Sequence, residues 1–390
     1  MSNNINTIRK VSVVVSARPS YSRIKTTLDA IKSHPALELQ LIVAASALLD
    51  RYGNAVDYIE KDGFEIASKV FMVLEGENLT SMAKTTGLGL LELSTAFDNL
   101  KPDVVITVAD RFETIATAIA ASYMNIPVAH VQGGEVTGNI DERVRHAVTK
   151  LSDIHFVTTQ DAYNRVIKMG EDPNKVFITG CPSIDIAEMV EKDPSLDFSI
   201  FEKYSGVGTV EDISNGYLVV MQHPVTTEYN ESRYQVEQTL EAVRELNIPA
   251  LWFWPNVDAG SDGTSKGIRV FRENNPQAKI HFFKNMEPLD FLRVLKNSRC
   301  LVGNSSVGIR ECSYLGIPVV NIGSRQQGRE RGRNVLDVDY SMEEIKGAVE
   351  KQLNTGHYSK EEIYGSGNAG AKIAELLSEV PLTINKIISY

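Results

Sequence analysis

The densest run of chemistry-bearing residues is Val131-Gln132-Gly133-Gly134-Glu135-Val136-Thr137-Gly138-Asn139-Ile140-Asp141-Glu142. Glu135, Asp141 and Glu142 put three carboxylates within eight residues, and Arg143, Arg145 and His146 follow at once. Carboxylates gathered in one cleft raise one another's pKa, which suits general acid and base work. Three glycines let the backbone approach a ligand closely. The same pattern would also serve as a plain glycine loop leading into a charged helix start.

A second concentration is Gly303-Asn304-Ser305-Ser306-Val307-Gly308-Ile309-Arg310-Glu311, expected to follow a strand and open a helix. Two consecutive hydroxyls and free backbone N–H groups make a phosphate cradle. Glu311, one to two turns in, could accept bonds from a ribose diol. The loop Gly323-Ser324-Arg325-Gln326-Gln327-Gly328-Arg329-Glu330-Arg331 could bring guanidinium groups to the same phosphates. The alternative is a serine N-cap beside a solvated basic loop.

Smaller signals stand at other predicted strand ends. Ser16-Ala17-Arg18-Pro19-Ser20-Tyr21-Ser22-Arg23 suits an anion at a helix N-terminus, or is a simple cap with solvated arginines. Asp110-Arg111, His223 and Asn256 each follow a strand, where charged groups of parallel sheets face the ligand crevice. Neither a G-x-G-x-x-G nor a G-x-x-x-x-G-K-[ST] motif accompanies them, so neither a dinucleotide fold nor a P-loop is supported.

The elements that must position these residues come in two series. Strands are predicted at Val11–Ser16, Leu39–Ala45, Asp103–Val108, Pro127–Val131, Ile154–Thr158 and Val176–Thr179, then at Tyr217–Met221, Ala250–Trp254, Lys279–Phe283, Cys300–Val302 and Pro318–Ile322. Helical patterns at Ser22–Ser33, Leu79–Asn99, Thr114–Met124 and Glu142–Leu151 lie between strands of the first series. Continuous apolar runs fit strands buried on both faces, and the alternation reads as doubly wound parallel sheet. The fold class is therefore α/β, with two Rossmann-like domains facing a cleft. Their expected limits are 1–185 and 186–370, with 371–390 a C-terminal helix that packs back towards the first domain.

Bulk properties narrow the function. The chain has 390 residues and net charge -10, from 40 Lys+Arg against 50 Asp+Glu. That balance argues against nucleic acid or an anionic membrane as the partner, since both need clustered positive charge. A small anionic ligand stays open, because a few arginines suffice. Cys181, Cys300 and Cys312 are too few and scattered for a disulfide framework or zinc site. The polar start and lack of a spanning apolar run predict a cytoplasmic protein without signal peptide.

Taken together, the motifs resemble the hydrolysing UDP-N-acetylglucosamine 2-epimerases of bacterial sialic-acid and legionaminic-acid pathways. The resemblance runs from about Val11 to Leu376 and also includes Arg145-His146-Ala147, Gly180-Cys181-Pro182-Ser183, Pro255-Asn256-Val257-Asp258-Ala259-Gly260 and Ile363-Tyr364-Gly365-Ser366-Gly367-Asn368-Ala369. It implies the GT-B fold, with UDP against the second domain and the sugar facing the first. Ser305, Ser306, Glu311, Arg325, His223 and Asn256 would hold the nucleotide, with Asn304 beside them, and Arg18, Ser22 and Arg111 would reach it from the first domain.

The implied reaction eliminates UDP to give a 2-acetamidoglucal, then adds water to release N-acetylmannosamine. Asp110 and Asp141 match catalytic carboxylates of the family. Some relatives carry Glu where this chain has Gln132. An amide is no general base, so either Glu135 or Asp141 takes that task or Gln132 merely orients, with His146 in support. No cofactor is implied, and any Mg²⁺ would ride with the pyrophosphate. A homo-oligomer, dimer or tetramer, is expected, and the apolar stretch Leu88–Leu100 is either its interface or an internal core helix. The alternatives are a UDP-2,4-diacetamido-2,4,6-trideoxyglucose 2-epimerase, a non-hydrolysing epimerase, a GT-B glycosyltransferase and a non-catalytic nucleotide-sugar sensor.

Overall fold

The computed structural model describes residues 8–50, 55–76, 78–108, 111–136, 140–255 and 260–389. They form two compact units: Met1–Glu135 with Asp141–Asp185 and Tyr364–Tyr390, and Val136–Ile140 with Ile186–Ile363.

The first unit contains β1 (Arg9–Val15), β2 (Leu37–Ala44), β3 (Ile66–Val70), β4 (Val104–Val108), β5 (Val128–Val131), β6 (Ile154–Val157) and β7 (Val176–Ile178). Its helices are α1 (Arg18–Ser33), α2 (Ala55–Lys61), α3 (Leu79–Leu100), α4 (Thr114–Tyr123), α5 (Ile140–Leu151) and α6 (Gln160–Lys168). The sheet order is β3-β2-β1-β4-β5-β6-β7, parallel throughout. Every residue of β4 is buried, as expected of a strand covered on both faces.

Helix α1 shows why the sequence folds locally as it does. Pro19 lies in the first turn, where a missing N–H costs nothing. Tyr21, Ile24, Leu28 and Ile31 then recur every three or four residues and are all buried. Burial of each such side chain contributes about 1.5–3 kcal/mol relative to exposure. In α3, Asn78 and Ser81 exchange side-chain and backbone bonds in a capping box.

The chain end also belongs to this unit. The helix Ala369–Glu379 begins where the Asp185 carboxylate accepts N–H bonds from Ala369 and Gly370, both at 2.8 Å. Further on, Lys386 Nζ donates to Thr149 C=O at 3.0 Å and pairs with Glu171 at 2.6 Å. Glu171 is buried and also meets Lys150 at 2.6 Å and His155 at 3.0 Å. Burial alone would raise this carboxyl, but hydrogen bonds from His155, Lys150 and Lys386 outweigh it and hold the pKa at about 2.

The second unit receives α7 (Pro182–Lys192) and contains α8 (Ile200–Lys203), β8 (Gly206–Gly208), β9 (Leu218–Met221), α9 (Ser232–Leu246), β10 (Ala250–Phe253), α10 (Ser261–Asn274) and β11 (Ile280–Phe283). It continues with α11 (Pro288–Lys296), β12 (Cys300–Gly303), α12 (Glu311–Leu315), β13 (Val319–Ile322), β14 (Val335–Val338) and α13 (Met342–Thr355). The order is β14-β13-β12-β9-β10-β11-β8. Only β8 runs antiparallel to its neighbour. Both sheets thus reverse direction of winding beside their first long strand, at β1/β4 and at β9/β12, the position where open α/β sheets take ligands.

The structure departs from the sequence expectation at β3, β8 and β14. These edge or near-edge strands alternate in exposure or stay exposed, so they lack the continuous apolar run of a central strand. The second departure is at Ser305. It caps a single turn, Ser306–Gly308, rather than a long helix, and Glu311 is the first residue of the five-residue α12.

Candidate active site

In the first unit, the residues singled out by sequence gather at the carboxyl ends of the strands. Ala17 at the N-cap of α1 offers no side-chain oxygen, so the first-turn N–H groups have no side-chain cap. Arg18 lies over the Tyr58 ring, 4.9 Å from its centroid. Ser22 Oγ bonds back to Arg18 C=O at 3.4 Å. After β4, Arg111 Nε donates to the buried Glu113 carboxylate at 2.8 Å.

The loop after β5 is the most constrained. Gln132 is buried with φ +69°, a left-handed conformation that few residues other than glycine adopt. Its N–H donates to Phe156 C=O at 2.9 Å, and its Nε2 donates to Cys181 Sγ at 2.9 Å. Cys181 in turn meets Ser183 Oγ at 2.9 Å. Gly134 has φ +77°, and a Cβ there would stand 2.3 Å from Ala162 C=O. The strand-to-loop corner therefore needs glycine.

Glu135 is buried, and its carboxylate accepts from Thr158 Oγ1 at 3.0 Å. Its backbone carbonyl accepts from the buried Arg145 at 2.9 Å. Asp141 and Glu142 occupy the first turn of α5, where the helix dipole favours negative charge. His146 Nε2 sits 3.3 Å from Glu142 Oε1, one turn on.

In the second unit, β9 and β12 deliver His223 and Asn304 side by side. The Asn304 carboxamide accepts the His223 N–H at 2.7 Å and donates to the His223 C=O at 2.8 Å. Gly303 permits this closeness: its φ is +134°, and a Cβ would fall 2.0 Å from Met221 C=O. The Asn304 carbonyl accepts from Arg325 Nη1 at 3.1 Å and Gln326 Nε2 at 2.9 Å. Burial, reinforced by the Arg325 charge, pushes the His223 imidazole well below its ordinary pKa. His223 is thus a neutral ring at pH 7.

Ser305 Oγ accepts the Val307 N–H, and Ser306 Oγ accepts from Arg310 Nη2 at 2.9 Å. Glu311 is buried, and its Oε2 has no hydrogen-bond partner among the described residues. Arg329 is buried too, and its Nε donates to Val136 C=O at 3.0 Å. Asp110 and Asn256 lie outside the described residues.

A cationic loop, a neutral histidine, hydroxyls and an open carboxylate at one sheet's switch point are suited to a sugar nucleotide. Comparison with known proteins gives this a family. The family described as UDP-N-acetylglucosamine 2-epimerase matches residues 29–378. The chain belongs to that family.

A UDP-N,N'-diacetylbacillosamine 2-epimerase (hydrolyzing) of Legionella pneumophila is 33% identical, over 98% of this chain and 100% of its own length. A UDP-N-acetylglucosamine 2-epimerase of Neisseria meningitidis is 27% identical over 93% and 92%. Among solved structures, a Neisseria meningitidis UDP-GlcNAc 2-epimerase bound to UDP-GlcNAc superposes with a TM-score of 0.76 at 19% identity, covering 94% and 99% of the two chains. The epimerase family's GT-B-like fold, two parallel-sheet α/β domains, is therefore the fold of this chain.

Several residues beside these groups carried no individual role in the sequence. Arg310 and Gln326 are buried and bond directly to Ser306 and Asn304. Thr158 supports Glu135 from just past the end of β6. Tyr340 places its ring against Gly323, where a Cβ would come within 2.2 Å of it. Gln326 could have been found as the neighbour of Arg325. The others had no local signal.

Proposed function

We propose that this epimerase-family chain is a hydrolysing 2-epimerase whose substrate is UDP-N,N'-diacetylbacillosamine. The observation that carries the reading is the full-length likeness to the Legionella pneumophila enzyme of that name. Ser305, Ser306, Glu311, Arg325 and His223 hold the nucleotide, joined by Asn256. The groups around Glu135 and Asp141 act on the sugar, joined by Asp110, Gln132 and His146.

Chemically, the C1–O bond breaks and its electron pair leaves on the β-phosphate oxygen of UDP. A carboxylate takes the proton from C2, and the C1=C2 double bond forms. Water then adds its oxygen to C1 while a proton returns to the opposite face of C2. Proton transfer by a positioned carboxyl and charge stabilisation of the departing diphosphate are the two demands. Gln132, an amide, orients and does not accept the proton.

The test is product analysis in D₂O with two nucleotide sugars. The expected result is free UDP and a free 2-epimeric sugar deuterated at C2, fastest from UDP-N,N'-diacetylbacillosamine. A UDP-linked 2-epimer as final product, or no deuterium at C2, would refute the reading. A second reading, UDP-N-acetylglucosamine as substrate, is favoured by the Neisseria meningitidis relative. Faster release of UDP from that sugar would select it.

A further inference from the structure

Arg310 is a charged residue in the interior of the second unit. Only 1% of its side chain is exposed, and it stands between the turn Ser306–Gly308 and α12. Burying a guanidinium is costly unless its donors and charge are used. One donor is used on Ser306, whose Oγ accepts from Arg310 Nη2 at 2.9 Å. A second nitrogen, Nε, lies 4.0 Å from Glu311 Oε2.

The direction of the Ser306 bond has a chemical consequence. A guanidinium has only donors, so Ser306 Oγ must be the acceptor. The hydroxyl's own proton is then turned away from Arg310. A serine held in this way presents a donor rather than a lone pair, which is the polarity an anionic oxygen requires. The neighbouring positive charge strengthens that donor. A neutral residue at position 310 would remove this constraint on the hydroxyl.

We infer that Arg310 is a positioning residue for the ligand's diphosphate, acting through Ser306. The inference rests on the UDP-sugar reading above and adds to it a residue that the sequence motifs left without a role. Arg310 need not touch the ligand. It orients the Ser306 hydroxyl and supplies charge behind it, so its influence falls on phosphate oxygens and not on the base.

The experiment compares UDP with uridine on the full chain, by calorimetry for UDP and ligand-observed NMR titration for uridine. Arg310→Met should weaken UDP about 10- to 100-fold, the range for a charge-assisted hydrogen bond, and uridine by less than about 3-fold. Arg310→Lys, which keeps a donor and the charge, should recover most of the loss. Combined with Ser306→Ala, Arg310→Met should cost less than the two single losses together, because both act on one bond.

Equal weakening of UDP and uridine, unchanged UDP binding in Arg310→Met, or full additivity with Ser306→Ala would overturn the inference. If Arg310→Met does not fold, Arg310→Gln takes its place: it loses the charge and should weaken UDP more than uridine, and equal weakening or unchanged UDP binding would overturn the inference. Wild-type chain that binds no UDP would overturn the nucleotide reading itself, and this inference with it.

Discussion

The carboxamide of Asn304 grips the peptide of His223 on both sides, accepting its N–H at 2.7 Å and donating to its C=O at 2.8 Å. This pair of hydrogen bonds ties the ends of β9 and β12, the two strands at the switch point of the second sheet. Asn304→Ala would remove one hydrogen bond from each of two buried backbone groups, at about 1–3 kcal/mol each. We expect a fall in Tm of several degrees and UDP binding weakened about 10-fold or more. Differential scanning fluorimetry and calorimetry measure both, and a variant that matches the wild type in each would contradict the assigned role.

Gln132 donates to a thiol, which an ionised glutamate cannot do. Gln132→Glu should therefore lower Tm at pH 7. Burial raises the pKa of the introduced carboxyl, so its cost is fully present above that value and disappears as pH falls and the group protonates. The Tm difference from wild type should shrink towards pH 4. A difference independent of pH would show that the Cys181 contact is not the cause.

Acid should loosen the first unit in two stages. Burial lowers the pKa of His155 below 6.5, and its partners hold Glu171 at about 2 against an ordinary 4.5. Both folded values are depressed. Their stabilisation is therefore complete above the unfolded pKa and is lost as pH falls, first below 6.5 and then between about 4.5 and 2. Lys386→Met removes one partner of Glu171 and should lower Tm at pH 7 while leaving UDP affinity within about 2-fold. A pH–Tm profile of wild type and variant tests both statements.

Asp141→Asn and Glu135→Gln should reduce UDP release about 10²- to 10⁴-fold, the range for loss of a general acid or base. Neither carboxylate is assigned to the nucleotide, so UDP affinity should change less than about 3-fold. Steady-state rates and calorimetry on the same preparations separate the two. Parallel loss of binding and turnover would move these carboxylates from proton transfer to structure.

All three cysteines are buried, and burial pushes the Cys300 thiol up to about 12 and Cys312 well above its usual value. The thiolate is the reactive form. Iodoacetamide at pH 8 should label none of them in the native chain and all three in denaturant, as counted by intact mass.

The local pattern of the sequence determined the two-domain α/β class. Runs such as Val11–Val15 and Val104–Val108 are buried at every position and apolar at all but Ser12 and Thr107, because central parallel strands are covered on both faces. It also brought forward Ser305, Ser306 and Glu311, which stand close together along the chain. Edge strand β3 escaped notice because Ile66–Val70 alternates in exposure, and β8 because it is only Gly206–Gly208.

The tertiary structure alone decided the pairings across distance. Gln132 meets Cys181 across 49 residues and His223 meets Asn304 across 81, and no spacing rule reaches so far. It likewise decided the state of charged groups. Arg310 stands in the motif Gly303–Glu311 without a role of its own, and packing alone buries it against Ser306. Periodicity reports which face of an element is covered, but the identity of the partner depends on strand order and register, which exist only once the sheets have formed.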